Sequence, residues 1–186
     1  MQTTELYFEY IIIGLETLFG IFLLFFVAIG EEILDIANYC FSNLPTSIML
    51  IAISYVLGLI TDRIADKVFE RLKFRIKRQY PTKAKTSLMI WKEYNQQAYA
   101  SFTLSRIRVL RSSAINFSVV GSLGMYISLE KYKNIMLFGI IAMLTIYFSL
   151  SSYIGHKNLL INYYQKTKAL ERDYKHNKKK LKRGVK

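Results

Sequence analysis

Apolar residues gather in four long runs that are separated by shorter polar segments. The runs cover residues 7–29, 46–61, 109–129 and 134–154. The hydrocarbon core of a bilayer needs about 20 apolar residues of helix, and interfacial residues such as Leu44 lengthen the short second run. The pattern therefore predicts an all-α integral membrane protein with four transmembrane helices and helical cytoplasmic extensions.

Charge is distributed very unevenly between the segments that join these runs. Residues 30–45 carry three acidic and no basic side chains, a net charge of −3. Residues 62–113 hold thirteen Lys and Arg against four Asp and Glu, and residues 155–186 hold eleven against two, so each has a net charge of +9. Basic loops stay on the cytoplasmic side. We therefore expect an inner (cytoplasmic) membrane protein with both termini in the cytoplasm and the acidic loop outside.

The same boundaries divide the chain into four predicted parts. These are an N-terminal helical hairpin that includes the acidic outer loop, a basic cytoplasmic helical region, a second transmembrane hairpin and a basic helical tail: 1–62, 63–108, 109–154 and 155–186. The outer loop has an apolar helical stripe opposite its acids, which predicts a further helix there.

Three helices are expected on the cytoplasmic side. Residues 57–80 contain no proline or glycine after Gly58, which predicts one helix that leaves the membrane without a break. Residues 86–110 are interpreted as a re-entering helix. The tail continues the fourth span, and its apolar positions from Leu160 onward repeat every three or four residues. This seam is predicted to pair with the helix over 62–80 or with other copies of the chain.

Overall composition narrows the function classes. The chain is 52% hydrophobic with a net charge of +13, which is typical of a membrane protein and unlike an ordinary soluble domain. One cysteine and two histidines favour neither a disulfide framework nor a metal site, so no metal and no cofactor is predicted. No nucleophile constellation, glycine-rich phosphate loop or catalytic carboxylate pair stands out, so no catalytic residue is predicted and the protein is expected not to be an enzyme.

Acidic and basic side chains recur every four residues where the second span ends. Asp62 and Asp66 form an acidic row, and Arg63 lies beside it. The expected partners of these acids lie where the third span begins, because charges that border hydrocarbon are costly unless they are paired: Arg106, Arg108 and Arg111. The alternative is a solvated helix face whose charges contribute little.

Glu16 lies about halfway along the first span, among Ile, Leu, Phe and Gly residues. An intramembrane carboxylate is a candidate functional site. One interpretation is a structural hydrogen bond to Ser113 or Asn116 on the third span. The other is a polar path lined by several copies of the chain, and both place Glu16 against protein.

Spans three and four are rich in small residues and are joined by a short loop. Small side chains let helices approach closely. The sequence therefore predicts a tight antiparallel hairpin whose packing positions include Gly121, Ser122, Gly139 and Ala142.

Two stretches at the cytoplasmic ends of spans two and three carry a resemblance. "LGLITDRIADKVF" (57–69) and "SRIRVLRSSAINF" (105–117) resemble segments of small four-span prokaryotic membrane proteins, a number of which accompany antiviral systems. The layout also resembles the accessory membrane proteins encoded beside type VI-B CRISPR effectors. The resemblance implies a non-enzymatic defence component that permeabilises the membrane as an oligomer or modulates a soluble nuclease.

Three functions remain open at this point. The first is a homo-oligomeric effector or accessory protein that perturbs the membrane or forms a pore. The second is a membrane-tethered adaptor for a cytoplasmic protein or RNA–protein complex, and the third is a holin-like or small transporter subunit. The expected partners are the lipid bilayer, other copies of the chain and such a cytoplasmic complex. The positive charge also suits nucleic acid, although no nucleic-acid-binding motif supports it.

Overall fold

A computed structural model of the chain describes residues 2–81 and 90–184, with side chains described for 4, 6–81 and 90–177. Helix makes up 92% of the structure, and the described residues contain no strand. The helices are α1 (Gln2–Ile29), α2 (Glu32–Ser42), α3 (Leu44–Val68), α4 (Glu70–Gln79), α5 (Gln97–Glu130) and α6 (Ile135–Gly184), with a further helical turn at 90–93. The all-α prediction is confirmed.

Four helices are long and apolar enough to cross a bilayer, as predicted. The candidate spans are Leu6–Ile29, Leu44–Val68, Gln97–Glu130 and Ile135–Asn177. The predicted outer-loop helix is present as α2. Gly30, with a φ of 91°, ends α1 in a left-handed conformation that glycine adopts without strain, and the turn leads directly into α2.

The spans form two antiparallel hairpins that meet along α1 and α5. Gly14 and Gly58 bring α1 and α3 together, and α5 and α6 pack along their length from Leu110 and Gly155 to Gly124 and Ile141. In contrast, α1 and α5 run parallel. The end of this bundle at which α3 finishes is called the basic end below, and the end that carries α2 is called the acidic end.

The helix predicted over 57–80 is broken. Phe69 leaves the regular helical conformation, with φ −90° and ψ 4°, and α4 restarts at Glu70. The prediction of one uninterrupted helix was therefore wrong. The break lets Phe69 turn its ring onto the His156 ring, 5.2 Å away between centroids, and directs α4 along α6. Burial of aromatic surface there accounts for a break that no proline or glycine marks.

The predicted helix over 86–110 is also interrupted. Residues 82–89 lie outside the described residues, and residues 90–93 are helical. Asn95 then adopts a φ of 51°, a left-handed conformation that asparagine tolerates better than most residues, before α5 begins at Gln97. The turn places Trp91 face to face with Tyr163 of α6, with 5.8 Å between ring centroids.

The apolar seam of the tail is confirmed from Leu160 to Tyr174 and pairs within the chain, whereas Asn177 is exposed and the Leu181 side chain lies outside the described residues. Leu160 packs with Ile76 of α4 and Ile107 of α5, and Leu170 packs with Trp91 and its neighbours. The part of α6 beyond His156, together with α4 and residues 90–108, is called the basic extension below. The extension is thus a folded continuation of the bundle.

Candidate functional site

Five charged side chains meet at the basic end and form what is called the charge cluster below. Arg111 Nη2 donates to Asp62 Oδ1 at 2.6 Å, and Arg111 Nη1 donates to Asp66. Arg108 donates to Glu9 of α1, and its Nε lies 3.8 Å from Asp62 Oδ2. The cluster therefore ties α1, α3 and α5 together.

The local sequence explains this geometry. Asp62 and Asp66 are four residues apart and Arg108 and Arg111 are three apart, so each pair lies on one face of its helix. Asp62, Arg111 and Glu9 are each less than 10% exposed. A buried charge is tolerated only when it is paired, and here each acid has at least one guanidinium partner. The predicted pairing of α3 acids with α5 arginines is observed.

Two residues of the predicted network lie outside it. Arg106 is exposed, and its guanidinium stacks over the Phe102 ring at 4.2 Å from the centroid. Arg106 precedes Arg108 by two residues, so it points away from the helix face that meets α3. Arg63 is also exposed and makes no ion pair within the described part of the chain. The prediction was therefore wrong for Arg106 and Arg63.

Glu9 is the member of the cluster that the sequence did not reveal. It lies seven residues before Glu16, which places both carboxylates on the same face of α1. That face meets α5, which runs parallel to α1, so Glu9 reaches Arg108 while Glu16 reaches Ser113 and Asn116, about one and a half to two turns further along α5. The seven-residue spacing was a signal that could have identified it.

The polar group predicted around Glu16 forms between α1 and α5. Ser113 Oγ lies 2.8 Å and 2.9 Å from the two carboxylate oxygens of Glu16, and Asn116 Nδ2 donates to Glu16 Oε2 at 3.1 Å. Asn116 Nδ2 also lies 3.2 Å from the Ile13 carbonyl oxygen. Glu16 therefore faces protein within a single chain, and its hydrogen-bonding capacity is used between α1 and α5.

Two glycines create the closest helix contact, which the sequence did not reveal. A Cβ atom on Gly14 would overlap the Ser54 carbonyl, and one on Gly58 would overlap the Tyr10 carbonyl. α1 and α3 thus approach backbone to backbone, as small residues allow in membrane helices.

The small residues of the second hairpin behave differently from one another. A Cβ atom on Gly121 would overlap the Thr145 side chain, so this position packs as predicted. A Cβ atom on Gly139 would meet nothing within 4 Å. Ser122 is exposed and bonds the Ser118 carbonyl of its own helix, and Ala142 is half-buried. Gly139 and Ser122 therefore do not hold α5 and α6 together, contrary to prediction.

His156 is a further buried polar group at the basic end. Its Nδ1 lies 3.2 Å from the Ile107 carbonyl oxygen, and the residue is 2% exposed. Within the described part of the chain, its Nε2 has no hydrogen-bond partner, and neither has Nε of Arg111. Both residues line a cavity of about 230 Å³ beside the charge cluster.

The site consists of ion pairs and hydrogen bonds between helices. Among the described residues, no group of three or more His, Cys, Asp or Glu side chains is arranged to hold a metal ion. The three acids of the cluster pair with its two guanidinium groups, and Lys73 reaches Asp66 from outside the cluster, which favours a structural role. No family model, curated protein or solved structure matches the chain.

Proposed function

We propose that the protein is a non-enzymatic membrane-anchored adaptor. Four apolar helices hold it in a prokaryotic inner membrane, and its basic extension binds an acidic cytoplasmic protein. The observation that carries this proposal is the direction of α4. Ile76 packs against Leu160, and Gln165 Nε2 donates to Tyr80 Oη at 2.9 Å, so α4 follows α6 away from the apolar segments.

The direction of α4 determines where its cations lie. Ile76 and Leu72 of α4 pack with Leu160 of α6, and the basic side chains exposed away from that contact are Arg71, Arg75, Lys77 and Arg78. A basic helix that lay flat on a bilayer would keep its apolar face in the lipid. Here Ile76 is buried and Leu72 is partly covered by protein, while Phe74 is exposed beneath the Arg78 guanidinium, which favours a partner from the aqueous phase over the lipid surface.

Charge complementarity supports an acidic partner. Such a surface steers an oppositely charged protein and fixes its orientation more than it adds affinity. The polar groups along α1 support the anchoring role, because Glu16 is hydrogen-bonded to Ser113 and Asn116 within a single chain.

Site-specific photo-crosslinking in native membranes tests the adaptor. A photoreactive residue at Arg75 should capture one acidic protein reproducibly, and the same residue at Phe41, exposed at the acidic end, should not. Capture should fall when salt is raised, since the contact is electrostatic. Loss of the product after RNase treatment would point to an RNA–protein complex instead. No specific product at Arg75 would refute the adaptor.

A second candidate, an oligomeric pore, is favoured by a different observation. Only 6% of the most apolar stretch of α6 is buried, which leaves room for other copies. Ser118 and Ser122 are exposed on α5, and Ser118 Oγ donates to Ser149 Oγ of α6 at 3.1 Å. Copies joined at this face would line a path with hydroxyl groups. Dye leakage from liposomes supports this candidate, whereas the adaptor leaves them sealed.

The defence role implied by the resemblance is part of neither argument and is a separate proposal. It predicts fewer phage plaques on cells that carry the gene than on cells without it. Equal plaque counts would refute the defence role without bearing on the adaptor or the pore.

A further inference from the structure

The cavity beside the charge cluster has an excess of positive charge. It lies where α3 and α4 meet α5 and α6, and its volume is about 230 Å³. Its charged lining residues are four cations, Arg63, Lys73, Arg108 and Arg111, and two anions, Asp62 and Asp66, and Glu9, which pairs with Arg108 from outside the lining, reduces the net charge from +2 to +1. A small anion is therefore favoured there over a cation.

Arg63 differs from the other three cations. Arg108 and Arg111 are engaged in the charge cluster, and Lys73 Nζ donates to Asp66 at 3.3 Å. Arg63 is exposed and has no acidic partner in the described part of the chain. Its five N–H donors are thus free to bind an anion.

The cavity also borders buried polar atoms that lack partners. His156 Nε2 and Arg111 Nε are buried without a hydrogen bond, and both residues line the cavity. An unsatisfied buried polar atom is destabilising. A polar occupant suits such a lining better than an apolar side chain.

A second groove adjoins the cavity on the outward side of α3. Its volume is about 450 Å³, and Leu59, Ile60 and Ile64 form its apolar part. Arg63 and Lys67 line its polar part. Because Arg63 lines both cavities, one guanidinium lies between a cationic cavity and an exposed apolar strip.

We propose that this paired site binds an anionic phospholipid. The phosphate lies against Arg63 at the mouth of the cationic cavity, and an acyl chain follows the strip formed by Leu59, Ile60 and Ile64. A free phosphate would satisfy the cation and leave the apolar strip exposed, whereas a phospholipid satisfies both. Guanidinium groups suit phosphate because they donate two parallel hydrogen bonds. The inference is independent of which protein the basic extension recruits.

Native mass spectrometry of the full chain in detergent tests the site. Phosphatidylglycerol and phosphatidylcholine with the same acyl chains are compared, and the wild type should retain more phosphatidylglycerol. Arg63→Gln should lower that retention about fivefold, the usual effect of one cation near an anionic lipid surface. Arg75→Gln is the matched control, since Arg75 is exposed and lines neither cavity.

Two further arms separate the alternatives. Arg63→Lys keeps the charge and should retain most of the preference, and Lys67→Gln should lower it if Arg63→Gln yields too little folded protein. Glycerol phosphate, which carries the headgroup without acyl chains, should displace the lipid poorly. Equal retention of the two lipids by the wild type, equal losses in Arg63→Gln and Arg75→Gln, or complete displacement by glycerol phosphate would overturn the proposal.

Discussion

Removal of the Arg111 guanidinium is expected to destabilise the bundle strongly. Arg111→Met keeps a long apolar stem and deletes the bonds to Asp62 and Asp66. Breaking a buried ion pair costs about 3–5 kcal/mol, because a charge is left unpaired in a poorly hydrated site. Asp62 keeps Arg108 Nε at 3.8 Å, and the Asp66 side chain is 43% exposed, so the lower end of that range applies. We expect a loss of about 3 kcal/mol.

A double-mutant cycle isolates the interaction from other effects of the substitution. Asp62→Asn combined with Arg111→Met should cost less than the two single changes together, with a coupling free energy of about 1.5–3 kcal/mol. The free energy of unfolding is measured by circular dichroism in mixed micelles of a mild detergent and SDS. Lys73→Met is the control, since its pair with Asp66 is exposed and should be worth less than about 1 kcal/mol. Additivity within about 0.5 kcal/mol would refute a buried, coupled pair.

Three other predictions address packing and topology. Glu16→Gln should hardly change the free energy of unfolding, because the amide keeps an acceptor for α5. Glu16→Leu should lower that free energy by about 1–2 kcal/mol. A comparable loss in Glu16→Gln would show that the carboxylate itself is needed. Gly14→Ala should destabilise by about 1–3 kcal/mol by forcing α1 from α3. Gly139→Ala, its matched control in open space, should leave the melting temperature unchanged or slightly higher. A reporter active only outside the cell should be active after residue 38 and silent after residue 84, and the reverse result would invert the topology.

The sequence predicts those features of this chain that depend on local pattern. The four spans follow from apolar runs, and the pairing of Asp62 with Arg111 follows from the high cost of unpaired charge beside hydrocarbon. The contact of Glu16 with Ser113 and Asn116 follows from the same reasoning. Each of these features depends on whether a helix position is expected to face apolar or aqueous surroundings, so the sequence alone is enough to predict it.

Features that depend on three-dimensional register are harder to predict. Gly14 packs against Ser54 and Gly58 against Tyr10 because α1 and α3 align in one antiparallel register. That register cannot be predicted from hydropathy. The break at Phe69 arises from ring packing on His156, a residue 87 positions away in the sequence, so no local signal marks it. The prediction that Arg106 belongs to the charge network was wrong because packing determines which face of α5 meets α3, and the sequence does not show that face.

The unbroken course of α6 gives the protein a mechanical property. At 1.5 Å per residue its 50 residues form a rod about 75 Å long, and the part beyond His156 contributes about 40 Å. A rod of that length turns a change in membrane tilt of about 10°, within the range that spanning helices adopt, into a sideways shift of about 7 Å at its far end. In the membrane setting proposed above, a change in bilayer thickness that altered this tilt would shift the position of a partner bound to the basic extension.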